Sequence, residues 1–271
     1  MRTQAELGNV FHEMHARQST FIIPNPWDIG TARALASMGF EALATTSAGM
    51  AFAAGKRDHQ VTRDDVLAHC RVLTAAIDVP LNADLGNCFG DDPATVAETM
   101  RLAAATGIVG ASVEDMKADN SIYDIALATE RVRAAAEVTH ALPFPLLLTA
   151  RAENFLVGRR DLDDTIKRLQ AYQEAGADVL YAPGLTSREE IAAVISSVDR
   201  PVNIIAGIRG FTLTLADLQE LGVRRVSVGS ALASASMTAV VRGAEEMRDH
   251  GTFTFSEGAL SFREMSKMFD L

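Results

Sequence analysis

The chain is poor in the features that mark secreted, membrane-bound or nucleic-acid-bound proteins. It has only two cysteines in 271 residues, Cys70 and Cys88, and no C-x-x-C pair. That argues against a disulfide framework and against a zinc site. No apolar run reaches the roughly 18–20 residues of a membrane span, and the opening segment MRTQAELGNVFHEMHARQ lacks the apolar core of a secretory signal. Basic charge is scarce, with 25 Lys and Arg against 35 Asp and Glu, a formal balance of −10. A nucleic-acid partner would want clustered Lys and Arg, although a few local cations suffice for a small anion. There is no linker-like or low-complexity stretch, and PNPWDIGTA after the first apolar run is not a G-x-G-x-x-G turn. These absences predict a cytoplasmic protein, one domain over residues 1–271, with neither nucleic acid nor membrane as partner.

What the chain does have is 48% hydrophobic residues in a regular alternation. Strand-like runs read TFIIPN, ALATTS, PLNAD, GASVED, PLLLTAR, DVLYAP, PVNIIAG and RRVSVGS. Most are short, apolar on both faces and rich in Val, Ile and Leu, as helix-covered parallel strands should be. Amphipathic stretches at 62–77, 93–106, 124–142, 161–175, 187–198 and 214–222 separate them, with Asp-Pro at one helix start and Gly at several ends. Eight strands each followed by a helix predict a (β/α)8 TIM barrel. An N-terminal helix at about 3–17 and a tail at 252–271 are left over. The tail carries Phe253, Phe255, Leu260, Phe262, Met265, Met268 and Phe269, an apolar set that predicts packing on a neighbouring subunit, with the chain's own barrel floor as the alternative.

In such barrels the chemistry sits at the C-terminal ends of the strands. Those ends offer Trp27, Ser47, Asp84, Glu114, Arg151 and Asn203, with Asp58 in the loop after strand two. Asp84 and Glu114 end neighbouring strands, so together they could share a hard cation such as Mg2+, or Mn2+ in its place, with Asp58 joining through water. Any one of these acids taken alone reads first as an ordinary loop carboxylate; it is the pairing of Asp84 with Glu114 on adjacent strands that favours the metal. Arg151 follows an apolar run, so its head emerges at the same mouth, where a guanidinium grips a carboxylate or phosphate; a salt bridge to Glu153 or Glu114 is the plainer reading. The small residues Ser47, Ala48 and Gly49 in TTSAGMA suit a carboxylate cradle or simply a tight turn. Trp27 is a site wall or a packing residue. His12, His15, His69, His140 and His250 read as surface or packing residues; His59, beside Asp58, is the histidine nearest the chemistry.

The ordered set TTSAGMA, PLNAD…FG, SVED, TARAENFLVGR and PVNIIAG resembles the isocitrate lyase/phosphoenolpyruvate mutase superfamily over nearly the whole chain. The resemblance implies a lyase that binds a 2-oxo acid to Mg2+ and makes or breaks a bond at its C3 through a pyruvate enolate. It also implies a barrel whose last helix is exchanged between subunits, in a homotetramer built as a dimer of helix-swapped dimers. Carried over by position, the resemblance implies Asp84 as the direct metal ligand, with Glu114 and Asp58 as its water-mediated partners. It likewise implies that Ser47, Ala48 and Gly49 hold the carboxylate and keto group, Arg151 the bound acid, and Asn203 the remote part of some substrates.

The departures bear on the reaction. The family pattern D-x-[DE]-x-G-[YF]-G here reads DLGNCFG, with Gly86 at the second acid and Cys88 at the first glycine. The lid after strand four, EDMKADNSIYD, has no cysteine where isocitrate and methylisocitrate lyases carry K-[KR]-C-G-H. Lys117, Asn120 and Ser121 are similar instead to the K-x-N-S lid of phosphonopyruvate-processing members. Among the catalytic candidates are therefore Asp58, Lys117, Asn120 and Arg151, with Ser121 on the substrate side. Decarboxylation of a 2-oxo dicarboxylate such as oxaloacetate asks least of this lid. Phosphonopyruvate hydrolysis or mutation, with Lys117, Asn120, Arg151 and Arg159 around the phosphonate, is the alternative. A catalytically degenerate dicarboxylate-binding barrel is the third.

Overall fold

A computed structural model describes residues 1–58 and 60–270; His59 lies outside the described residues. Helix α1 (Gln4–Ala16) precedes strand β1 (Phe21–Ile23), and α2 (Ile29–Ser37) follows. Then come β2 (Leu43–Ala44), α3 (Ser47–Ala53) and α4 (Arg63–Thr74), β3 (Leu81–Asp84) with α5 (Pro93–Ala104), and β4 (Gly110–Glu114) with α6 (Ile125–His140). The second half runs β5 (Leu147–Arg151), α7 (Leu162–Glu174), β6 (Val179–Tyr181), α8 (Arg188–Ser196), β7 (Val202–Ile205), α9 (Leu215–Glu220) and β8 (Arg225–Ser227). Helix α10 (Ala231–His250), a short 3-10 turn (Thr254–Ser256) and α11 (Phe262–Lys267) end the chain.

The eight strands form one parallel sheet in the order β1-β8-β7-β6-β5-β4-β3-β2. Its two ends are joined where Ala44 N–H donates to the Pro24 carbonyl at 3.1 Å and Asn25 Nδ2 to the Thr45 carbonyl at 3.0 Å. The result is the (β/α)8 barrel that the alternation predicts. Local chemistry sets the helix starts. Thr3, Asp28, Thr62, Ser187 and Thr214 each close a capping box, which satisfies N–H groups that a helix cannot bond internally. Asp92 caps α5 with Pro93 at its first position, where the missing N–H costs nothing.

Most of the core lies between the sheet and its helices, around residues such as Leu43, Leu73, Met100, Leu148 and Ile191. A second cluster closes the N-terminal end: Phe11 and Met14 of α1 pack on Phe21, Ile23, Val109 and Leu147. Phe11 is fully buried there, so truncating it to Ala would cost about 3–5 kcal/mol. The opposite end is left open and polar. The tail is not covered by its own barrel: Phe253 is 68% and Phe262 88% exposed. Its first part folds back on α10, with Glu246 accepting from Thr252 and from the Thr254 hydroxyl, and Phe255 seated on Gly243.

Candidate active site

One guanidinium organises the open end. Arg151, the last residue of β5, is 13% exposed and meets three carboxylates: Asp84 Oδ1 at 3.0 Å, Glu114 Oε2 at 3.2 Å and Glu153 Oε1 at 2.6 Å. Registry explains the meeting, because Asp84, Glu114 and Arg151 end the neighbouring strands β3, β4 and β5, with Asp84 paired to Ser112 within β4 and Glu114 to Arg151. The salt bridges to Glu153 and Glu114, the alternative reading of Arg151, are both present, and Asp84 is added to them. Burial pushes Glu114 well above the ordinary carboxylate range; Arg151 opposes this, while Glu153, Asp84 and Asp115 reinforce it. Glu153 is raised by burial in the same way, and its Oε2 is buried without a hydrogen-bond partner. Burial weakens the charge on Arg151, yet the surrounding acids outweigh it and hold its pKa well above the usual value.

Asp84 is held from several sides. Its carboxylate accepts from Ser47 N–H at 3.1 Å and Gly86 N–H at 3.3 Å, and its own N–H donates to Thr45 Oγ1 at 2.8 Å. Gly86 adopts φ +54°, and a Cβ there would lie 3.7 Å from Glu114 Oε1. The position of the missing second acid is thus beside Glu114, in a conformation that L side chains rarely adopt.

Asp115, the last residue of SVED, faces away from the mouth. Fully buried, it accepts from Glu153 N–H at 2.8 Å, Arg168 Nη1 at 3.0 Å and the Tyr172 hydroxyl at 2.6 Å. It ties the end of β4 to the segment after β5 and to α7, which fixes where Glu153 and Arg151 stand.

The loop after β3 is clamped from below. Cys88 and Phe89 both take positive φ, 61° and 63°. Arg131 of α6, 1% exposed, donates to the carbonyls of Asn87, Gly90 and Asp91 and stacks 4.2 Å from the Tyr123 ring centroid. Lys117 Nζ lies 5.4 Å from the same centroid. Cys88 is fully buried, and burial raises its thiol to about 12; Cys70 is raised likewise.

Two cavities open here. The outer, about 420 Å³, is lined by Asp58, Asp84, Glu114, Lys117, Arg151 and Glu153 among others. The inner, about 160 Å³, runs down the barrel and shares Ser47, Asp58, Asp84 and Arg151 with the outer one; Ala48 and Asn203 also line it. Gly49 is buried just behind, where a Cβ would meet Trp27 Cβ at 3.1 Å and Thr46 Cγ2 at 2.6 Å. Trp27 therefore packs against the cradle turn and is not among the cavity walls. Asn120 and Ser121 are exposed in a turn in which Asn120 takes φ +63° and Lys117 N–H donates to the Ser121 carbonyl at 2.7 Å. Neither lines either of these two cavities. Arg159 is half exposed and directed at Asp161 and Asp164.

The donor set fits a hard divalent cation. Asp84 and Glu114 offer only oxygen, the ligand that magnesium prefers, together with retained waters. Among the described residues no cage of three or more His, Cys, Asp or Glu is present. The charge balance points the same way: a single guanidinium sits among three carboxylates, two of them pushed upward by burial and mutual repulsion, and added positive charge relieves that repulsion.

Several residues that shape the site escape a search of strand ends. Arg168 with Tyr172, and Arg131, lie on the buried stripes of α7 and α6; a charged residue inside an apolar stripe is the signal that marks them. Arg225 alternates with Ser227 in RRVSVGS, and both face the barrel interior.

Residues 11–248 match the family model described as phosphoenolpyruvate phosphomutase. The protein MT2054 of Mycobacterium tuberculosis (strain CDC 1551 / Oshkosh) is 32% identical over 241 residues, covering 88% of this chain and 89% of that one. Among solved structures, a Burkholderia cenocepacia J2315 protein, assigned as a lyase/mutase without a stated substrate, is 55% identical. Its TM-score is 0.96, with 99% of this chain and 97% of that chain covered. A phosphonopyruvate hydrolase in complex with oxalate and Mg2+ shares the fold at TM-score 0.85 and 21% identity, covering 98% and 95% of the two chains.

Proposed function

The chain belongs to the phosphoenolpyruvate phosphomutase family, within a superfamily of magnesium-dependent lyases and mutases, and on that premise we propose that it is a carbon–carbon lyase, a decarboxylase of a small 2-oxo dicarboxylate resembling oxaloacetate. One observation carries the choice of reaction. Both cysteines are buried, and neither lines the cavity at the mouth. A retro-aldol cleavage needs a positioned acid for C3, such as a thiol, and a base for the departing hydroxyl. Decarboxylation needs neither.

Asp84 and Glu114 would hold Mg2+, with Asp58 through water, and Mn2+ could replace it. When bound, the ion supplies Lewis acidity toward the carboxylate and keto oxygens of a 2-oxo acid. Arg151 orients the bound acid, already aligned by Glu153 and Glu114. Ser47 and Ala48 line the inner wall, and Lys117 places a cation at the outer one. As the C3–C4 bond breaks, its electron pair moves into the C2–C3 bond and onto the keto oxygen, and carbon dioxide leaves. A proton from water then restores C3 and gives pyruvate.

Lys117 is the feature that favours the phosphonopyruvate reading, since it brings a second cation to the cavity. That reading is weakened because Asn120, Ser121 and Arg159 stand away from it. The exposed apolar tail supports assembly by helix exchange into dimers and a homotetramer. Among the described residues no helix is long and apolar enough to cross a membrane.

The test is a substrate panel of oxaloacetate, methylisocitrate and phosphonopyruvate, with and without Mg2+. Magnesium-dependent pyruvate release from oxaloacetate, abolished in Asp84→Ala with the fold intact, is the expected result. Phosphate from phosphonopyruvate without pyruvate from oxaloacetate reverses the order of the two reactions. Dicarboxylate binding with no turnover on any substrate makes the barrel a binding protein.

A further inference from the structure

The two cavities at the mouth differ in what they can hold. The inner one, about 160 Å³, is walled by polar groups such as Asn25, Thr45 and Ser112, and its floor is already satisfied. There Arg225, 3% exposed, donates from Nε to Asn203 Oδ1 at 2.9 Å and from Nη2 to Thr149 Oγ1 at 3.0 Å, and its Nη1 lies 3.4 Å from His15 Nε2. Each guanidinium nitrogen has a partner within the chain, and all three partners are uncharged. The outer cavity, about 420 Å³, is larger and has an apolar wall. Val61, Val66 and Leu85 form its buried part, Phe89 and Met116 are half-buried, and Leu156 is 52% exposed.

Such a volume is on the scale of sites for drug-sized molecules. A 2-oxo acid head needs only the patch around Ser47, Asp84 and Arg151 that the two cavities share. Charge decides what fills the remainder. Arg151 already meets three carboxylates, and the other cation of the lining is Lys117. Asp58, Asp91 and Glu153 stand in the same lining as Asp84 and Glu114, with Asp91 fixed by the Tyr123 hydroxyl, which donates to its Oδ1 at 2.6 Å. Lys117 can balance one departing carboxylate. A third carboxylate on the substrate would face acids without a counter-charge, whereas an apolar group gains by leaving water for the wall.

We propose that the substrate is a 2-oxo dicarboxylate with a short alkyl chain on C3, seated against Phe89, Met116 and Leu156. The inference rests on the reading of this chain as a 2-oxo acid decarboxylase and narrows its substrate class. With the retained carboxylate and the keto group held at Arg151 and Ser47, the outer cavity is the space with room and apolar surface for a substituent on C3. The C3–C4 bond still breaks with loss of carbon dioxide, its electron pair still passes into the C2–C3 bond and onto the keto oxygen, and water returns a proton to C3. The product is a 2-oxo monocarboxylate longer than pyruvate by the alkyl chain.

The test compares oxaloacetate with its 3-methyl and 3-propyl derivatives on the full-length protein, following carbon dioxide release with and without Mg2+ and subtracting the uncatalysed rate. Each buried methylene is worth about fourfold, so kcat/KM should rise along the series and reach about tenfold or more over oxaloacetate for the 3-propyl acid. In a Met116→Gln, Leu156→Asn double variant that preference should fall roughly fivefold or more; both side chains are partly exposed, so the fold survives the change. Equal or better turnover of oxaloacetate by the wild type overturns the alkyl subsite and leaves the decarboxylase reading standing. A preference that survives both substitutions overturns its assignment to this wall. Absence of magnesium-dependent carbon dioxide release from all three acids sinks the decarboxylase reading itself, and the subsite with it.

Discussion

Asp84 and Arg151 meet at 3.0 Å across the strand that separates them, so the ends of β3 and β5 are bonded over the end of β4. Glu114, from that intervening strand, joins the same guanidinium at 3.2 Å. The acid end of the barrel is therefore one electrostatic unit.

Replacing Arg151 by Gln leaves Glu114 and Glu153 buried without their counter-ion. The cost is about 3–5 kcal/mol, and turnover falls by at least a hundredfold. Chemical denaturation at pH 7 and a rate assay check both. Because the buried acids then favour their neutral form, the lost stability returns in part as the pH is lowered toward 5.

Gly86→Asp restores an acid at the position beside Glu114 Oε1. The positive φ costs about 1–2 kcal/mol in a residue other than Gly, with Asp among the better tolerated. The variant is expected to be less stable without metal but to bind Mg2+ roughly tenfold more tightly. Titration calorimetry decides; unchanged or weaker magnesium affinity means that the missing acid is not what limits binding.

His15 gives the fold a pH dependence. Burial and the nearby Arg225 hold its pKa down to about 3, from an ordinary 6.5. Above pH 6.5 the ring is neutral in folded and unfolded chains, and its contribution is complete. As the pH falls from 6.5 toward 3, the unfolded chain takes up a proton that the folded one refuses. Stability on the order of a few kcal/mol is lost over that window. Urea midpoints between pH 7 and 4 should fall less steeply in His15→Gln than in the wild type.

The eight strands and their order along the chain were legible because buried parallel strands leave uninterrupted apolar runs between helix caps. Asp84, Glu114 and Arg151 were legible for the same reason, as polar residues that end such runs. What the sequence hid depends on geometry across the barrel. Nothing local to Arg168 or Tyr172 says that they reach Asp115, and nothing near Arg225 says that its neighbours are neutral. The helix α10 also escaped a search for amphipathic stretches, because much of its apolar surface is turned outward: Val240 is 63% exposed.

Buried thiols raised to about 12 react slowly, since the thiolate is the nucleophile. The native protein should keep its activity after prolonged treatment with iodoacetamide, and Cys88→Ser should leave the rate within a few-fold. Rapid inactivation by alkylation, protected by substrate, would restore a thiol acid to the mechanism.

Exposed Val240 and Phe262 are expected to become buried on assembly. A Val240→Glu, Phe262→Glu double variant should sediment as a smaller species than the wild type at the same concentration. Identical sedimentation would place the subunit contacts elsewhere.

The bonds to Asp115 set an order on the birth of the site. Its carboxylate is completed by groups 38, 53 and 57 residues further along the chain. A growing polypeptide that has already made Asp84 and Glu114 cannot yet hold them in working array. The acid end closes only once α7 has been synthesised and has delivered Arg168 and Tyr172. Fragments that stop short of that helix should carry the metal-binding acids and still have no site.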